Sequence, residues 1–231
     1  LGVAIRSLDY DDFHKKYSEA IEFALTNNGH QRMYTYYCYN DLKDLKNKWK
    51  ILEDFFEKIK NSIFKLHVFF NLFSPKKIPN VKVYGRYARK NKIKLSNDTM
   101  SIKDFVNKYL VNVFPGLCAW KMMPYLSAGK TQFHFDSFNG HISEAQEELD
   151  CSSFNKTVYT HGDCVNPLIS CADLMIALID HRLLVKKMHL YPENIKNIFS
   201  DFEENKLAIF TFDNRSLRKI TPIDKIEINN A

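Results

Sequence analysis

An apolar helix with acids inside it constrains this chain more than any other feature. From Pro167 to Asp180 the sequence reads Pro-Leu-Ile-Ser-Cys-Ala-Asp-Leu-Met-Ile-Ala-Leu-Ile-Asp, so Asp173 falls among Leu168, Ile169, Leu174, Ile176 and Leu178. A helix that is apolar all round belongs in a core. A carboxylate there is costly unless it is paired, protonated or bound to a metal. Helical spacing sets Ile169, Asp173 and Ile176 on one side, with Asp180 two turns along it. A buried mid-helix Asp has no capping role, so Asp173 is the hardest of these acids to explain away. The plainer alternative is an ion pair, to Arg182 or to an arginine of the basic segment from Lys76 to Lys94.

More acids close other apolar elements nearby. Thr131-Gln-Phe-His-Phe-Asp136 alternates as a strand, with Phe133 and Phe135 on one face and Gln132, His134 and Asp136 on the other. Asp136 is at the carboxyl end, where sites in α/β sheets open. Glu144 begins a short helix, Ser143 to Leu149, and shares a face with Glu148. Asp163 follows a strand from Lys156 to His161 and precedes the long helix. Each acid has an ordinary alternative: Asp136 as a turn cap, Asp163 as part of a helix cap, Glu144 as a first-turn charge facing the helix dipole. Brought together, they suit a hard divalent ion, Mg2+ or Mn2+, which takes oxygen ligands. Two such ions about 4 Å apart activate a water and neutralise a leaving oxygen. Asp136, Asp173 and one further acid suffice.

Charge points the same way. The chain has 231 residues and a formal net charge of +6. The excess sits in Lys76, Lys77, Lys82, Arg86, Arg89, Lys90, Lys92 and Lys94, with no acid between them, while the rest is close to neutral. Tyr84 and Tyr87 interleave with these cations. Localised positive charge with aromatics suits a phosphate backbone and stacked bases, DNA or RNA; a solvated loop is the plain alternative. Lys82, Arg86, Arg89, Lys90 and Lys92 are the expected contacts.

Five cysteines form no CxxC pair, and no secretion signal opens the chain, which favours a reduced, cytoplasmic setting. The longest apolar runs are too short to span a bilayer. His134, His141 and His161 follow no zinc spacing. Cys164 and Cys171 have no assignable base, and no glycine-rich phosphate loop occurs.

Along the chain, strands alternate with helices. Strands are expected at Leu1 to Arg6, Met33 to Tyr39, Ile63 to Phe73, Val81 to Tyr87, Thr131 to Asp136, Lys156 to His161, Leu207 to Phe212 and Arg218 to Ile220. Helices are expected at Phe13 to Leu25, Asp41 to Lys60, Ser101 to Phe114, Leu117 to Leu126, Ser143 to Leu149, Leu168 to Val185 and from Pro192. The first helix stops at Asn27-Asn28-Gly29. This pattern is an α/β fold with a mixed sheet flanked by helices.

The run Leu168-Ile-Ser-Cys-Ala-Asp173-Leu-Met-Ile-Ala, preceded by a strand ending in Asp136, resembles the ribonuclease H-like superfamily and, within it, the DUF3800 domain family. The resemblance covers about the last hundred residues. Cys171 stands where that pattern usually has an apolar residue. It implies a single ribonuclease H-like domain over residues 1–231, with a helical and basic insertion at about 41–126. It also implies metal-dependent hydrolysis of phosphodiester bonds, with Asp136 and Asp173 as metal ligands and Glu144 and Asp163 assisting. That family opens on an Asp-Glu-Ser-Gly strand that this sequence lacks. The expectation is that this acid lies upstream of Leu1, or that the chain is a non-catalytic nucleic-acid binder or scaffold.

Overall fold

A computed structural model describes residues 1–70, 130–136, 155–188, 191–213 and 216–222. The chain divides into two compact units: residues 1–70, 161–211 and 222–231 form one, and residues 71–160 and 212–221 the other. The expected strand at 81–87 and the expected helices at 101–114, 117–126 and 143–149 lie outside the described residues.

In the first unit, β1 (Gly2–Arg6) pairs antiparallel with β2 (Lys65–Phe70), and β2 pairs parallel with β5 (Leu207–Asp213). The sheet is therefore mixed. In β2 the side-chain alternation sends Leu66 and Val68 into the helical core. Val3 and Ile5 of β1 and Leu207 and Ile209 of β5 join them there. His67 and Phe69 lie on the opposite face and are buried as well.

Three helices cover the core face. Helix α1 (Tyr10–Asn27) begins at Asp9, whose carboxylate accepts the Asp12 N–H at 2.9 Å. It ends where the asparagine pair and glycine predict. The Gly29 and His30 N–H groups donate back to the Thr26 and Leu25 carbonyls, and Gly29 has φ 77°, the left-handed closure that glycine allows. Helix α3 (Lys48–Ile59) brings Ile51, Leu52, Phe55, Phe56 and Ile59 to the core. Helix α4 (Pro167–Val185) packs on α1, α3 and β1. Its cap is Asn166, fully buried, whose amide oxygen accepts the Leu168 and Ile169 N–H groups. Short α5 (Pro192–Ile198) closes on α4.

Two expectations fail here. Met33 to Tyr39 is not a strand. Its Tyr-rich pattern suits one, but side chains satisfy the backbone instead of a ladder. Tyr37 Oη accepts the Met33 and Tyr34 N–H groups, the Tyr37 N–H donates to Tyr17 Oη, and Arg32 donates to the Tyr34 and Thr35 carbonyls. Asp41 to Lys60 is not one helix either. It divides into α2 (Tyr39–Leu42) and α3. Asn47 sits at the break and donates to the Asn28 carbonyl at 2.9 Å, while its own oxygen meets His30 Nε2 at 2.7 Å. The chain turns there to follow the end of α1.

In the second unit, β3 (Gln132–Asp136) and β4 (Asn155–Tyr159) run parallel, Asp136 in register with Tyr159. In the chain after β5, β6 spans Ser216–Pro222. Among the described residues no helix is long and apolar enough to cross a membrane.

Candidate functional site

Asp173 is half-buried on α4, and its Oδ2 accepts the Tyr39 N–H at 2.7 Å. Tyr39 is the first residue of α2, so the carboxylate caps a helix 134 residues away in sequence. An anion at a helix N-terminus is favourable through both the N–H bond and the dipole. Arg182 instead donates to the Ile198 carbonyl at 3.0 Å and faces Glu53 at 4.0 Å.

Aromatic rings continue from that cap. Tyr39 stacks on Trp49 with centroids 5.5 Å apart, and Trp49 stacks on His181 at 3.8 Å and 2° between planes. Burial holds the His181 pKa below the ordinary histidine value. Deeper still, Ser170 Oγ donates to the Tyr37 carbonyl at 2.6 Å. A hydroxyl has one proton, so the 2.6 Å contact between Ser170 and Tyr17 must have Tyr17 as donor. Tyr17 Oη also accepts the Tyr37 N–H, closing the loop of bonds. Burial pushes the Tyr17 hydroxyl pKa up, which keeps that proton in place. Ser170 and Asp173 therefore both fasten the segment 37–39 to α4.

Asp163 lies in the 3-10 turn Gly162–Cys164 ahead of α4, half-buried, after His161 at φ 55°. Asp136 ends β3 in the other unit, half-buried. The four expected acids are thus distributed: Asp163 and Asp173 in the first unit, Asp136 in the second, and Glu144 outside the described residues. Among the described residues no three His, Cys, Asp or Glu side chains are grouped so as to hold a metal ion. The basic positions Lys82, Arg86, Arg89, Lys90 and Lys92 lie outside the described residues.

Around Asp136 the alternation expected of the strand holds. Phe133 and Phe135 stack on each other at 5.7 Å. On the opposite face Gln132 donates to Thr157 Oγ1 at 2.8 Å, and His134 Nδ1 meets Tyr159 Oη at 2.9 Å. Burial lowers the His134 pKa, so the imidazole is neutral at pH 7. Tyr159 was not among the residues singled out from the sequence. The signal is the matching alternation of Thr157 and Tyr159 in β4, once β4 is placed beside β3.

A family model described as a domain of unknown function (DUF8203) matches residues 1–231. The chain belongs to the DUF8203 family. That corrects the resemblance to DUF3800 and the ribonuclease H-like superfamily, since a different family accounts for the whole chain. The Ala172-Asp173-Leu174 core that carried the resemblance is short, and in this chain its acid caps α2. This DUF8203 chain is also similar to an uncharacterized protein of Archaeoglobus fulgidus, 28% identical over 172 residues. The match covers 72% of this chain and 48% of that protein, so the chain spans about half the length of the relative. No solved structure matches.

Proposed function

We propose that this chain binds nucleic acid, its segment Lys76 to Lys94 lying along the phosphate backbone. The observation that carries this is the charge distribution. Eight cations without an intervening acid account for more than the whole excess of 33 basic over 27 acidic residues. Such a run gives up counterions to a polyanion and supplies sequence-independent affinity. Tyr84 and Tyr87 add ring faces for unpaired bases.

A second reading, divalent-metal-dependent hydrolysis of the bound strand, is favoured by Asp136. It stands at the carboxyl end of a parallel pair, one strand repeat beyond a neutral histidine. Mg2+ or Mn2+ would polarise the phosphate and activate water there. In this reading Asp136 is the principal ligand. The Tyr39 bond gives Asp173 a structural task.

The test is anisotropy of labelled single- and double-stranded DNA and RNA with chelator present, then with Mg2+ or Mn2+ added. Alanine at Lys82, Arg86, Arg89, Lys90 and Lys92 together is expected to weaken binding strongly without altering the far-UV spectrum. Wild-type affinity in that variant rules out the binding role. Shortened oligonucleotides on metal addition, lost in Asp136→Asn, support the second reading; intact ones remove it.

A further inference from the structure

A titratable ring closes the joint where three helices meet. His181, near the end of α4, lies flat on Trp49 of α3, with centroids 3.8 Å apart and 2° between planes. The indole stacks in turn on Tyr39, the first residue of α2. Contact that close covers a face of the imidazole that water would otherwise solvate, which disfavours its charged form. The ring is only half-buried, so protons still reach it. The charged neighbours do not offset the covering. Arg182 and Lys48 oppose a proton on His181, while Glu53 and Asp180 favour one. Glu53, however, already faces Arg182 at 4.0 Å, and the Lys48 ammonium already lies 5.6 Å from the Trp49 ring centroid. An imidazolium would be drawn to the indole, but it would share that indole with a cation that repels it.

We propose that the His181–Trp49 stack is a pH-operated clasp, holding α2, α3 and α4 together while the imidazole is neutral and opening when it is protonated. The effect falls first on α2, a four-residue helix fixed to α4 by the Tyr39–Asp173 bond and to α3 by its ring stack. Covering of the ring lowers the His181 pKa, so the clasp is closed at pH 7 and opens as pH falls through a midpoint below about 6.5. The inference is independent of the nucleic-acid reading, since none of its residues lies in the cationic segment.

Proton NMR of the full chain between about pH 8 and about pH 5, without nucleic acid, tests it. At the upper end the His181 ring protons should be displaced upfield by the ring current of the indole. That displacement should vanish with the same midpoint as the imidazole titration, and the midpoint should lie below about 6.5. Trp49→Leu should bring the midpoint back toward the ordinary histidine value. The Lys43 N–H donates to the Tyr39 carbonyl across α2, and its protection from hydrogen exchange should fall several-fold below the midpoint. In His181→Phe, which keeps a ring on the indole at every pH, that protection should not change. His67 is present in both chains, so its own titration cancels in the comparison. A ring that stays displaced after it has titrated, a midpoint at or above about 6.5, or the same loss of protection in His181→Phe overturns the proposal. The wild-type titration needs no substitution, so it decides even if a variant fails to fold.

Discussion

Removing the Asp173 carboxylate should uncap α2 at a distance of 134 residues in sequence. The bond to the Tyr39 N–H is 2.7 Å long and charge-assisted. Hydrogen bonds to charged groups contribute about 1.5–3 kcal/mol, and helix caps about 0.5–2 kcal/mol. Both partners are half-buried, so water replaces part of what is lost, and Asp173→Ala should cost about 1–2 kcal/mol. Asp173→Asn keeps an oxygen acceptor in place but removes its charge, and should cost roughly half as much. Tyr39 stacks on Trp49, so loosening α2 should also change Trp49 emission before global unfolding. The assay is urea unfolding followed by circular dichroism and tryptophan fluorescence. Equal stability of wild type and Asp173→Ala, or an Asn variant as unstable as the Ala variant, refutes the capping argument. The comparison also separates roles, because a metal ligand would lose its chemistry in both variants alike.

Other consequences can be checked in the same unfolding assays. Burial lowers the His67 pKa to about 3, against about 6.5 in the unfolded chain. The unfolded chain therefore takes up a proton first as pH falls. Stability should be full above pH 6.5 and drop by about 1.4 kcal/mol per pH unit below it, about 2 kcal/mol by pH 5. His67→Phe should flatten that slope, and an unchanged slope contradicts the assignment. Lys187 closes α4 at φ 52°, its N–H and that of Met188 donating to the Leu184 and Leu183 carbonyls. Lys187→Gly should stabilise by about 0.5–1 kcal/mol by relieving the left-handed backbone; a loss of stability would show that the lysine side chain matters more. Ser170→Ala leaves the buried Tyr37 carbonyl and the Tyr17 hydroxyl each short of a partner, and should cost about 1–3 kcal/mol. A neutral outcome would mean that the three groups do not act as one network.

The elements with a clean period were readable from the sequence. Phe13, Tyr17, Ile21 and Ala24 mark α1, and all four are buried. Asn28-Gly29 marks its end, and Phe133 and Phe135 share one face of β3. What failed was decided by side-chain bonds to the backbone, which periodicity does not show. Residues 33–39 have the composition of a strand, yet Arg32, Tyr37 and Tyr17 supply the bonds a neighbouring strand would have supplied. The apolar stripe Leu42, Leu45, Trp49, Leu52 runs unbroken through the turn at Asn47, so periodicity alone could not find it. Asp173 was readable as a carboxylate on an apolar helix. One partner is the Tyr39 backbone N–H, and backbone donors leave no mark in a sequence. His134 and Asp136 were readable as one face, whereas Tyr159 needed the parallel register of β4.

The dependence of nucleic-acid affinity on salt tests the central claim most directly. The account predicts that the logarithm of the binding constant falls steeply and linearly with the logarithm of salt concentration. Alanine at Lys82, Arg86, Arg89, Lys90 and Lys92 should make that slope shallower by about 3.5–4.5, at roughly 0.7–0.9 per phosphate contact. A slope near zero in wild type, or one unchanged by the five substitutions, would contradict it.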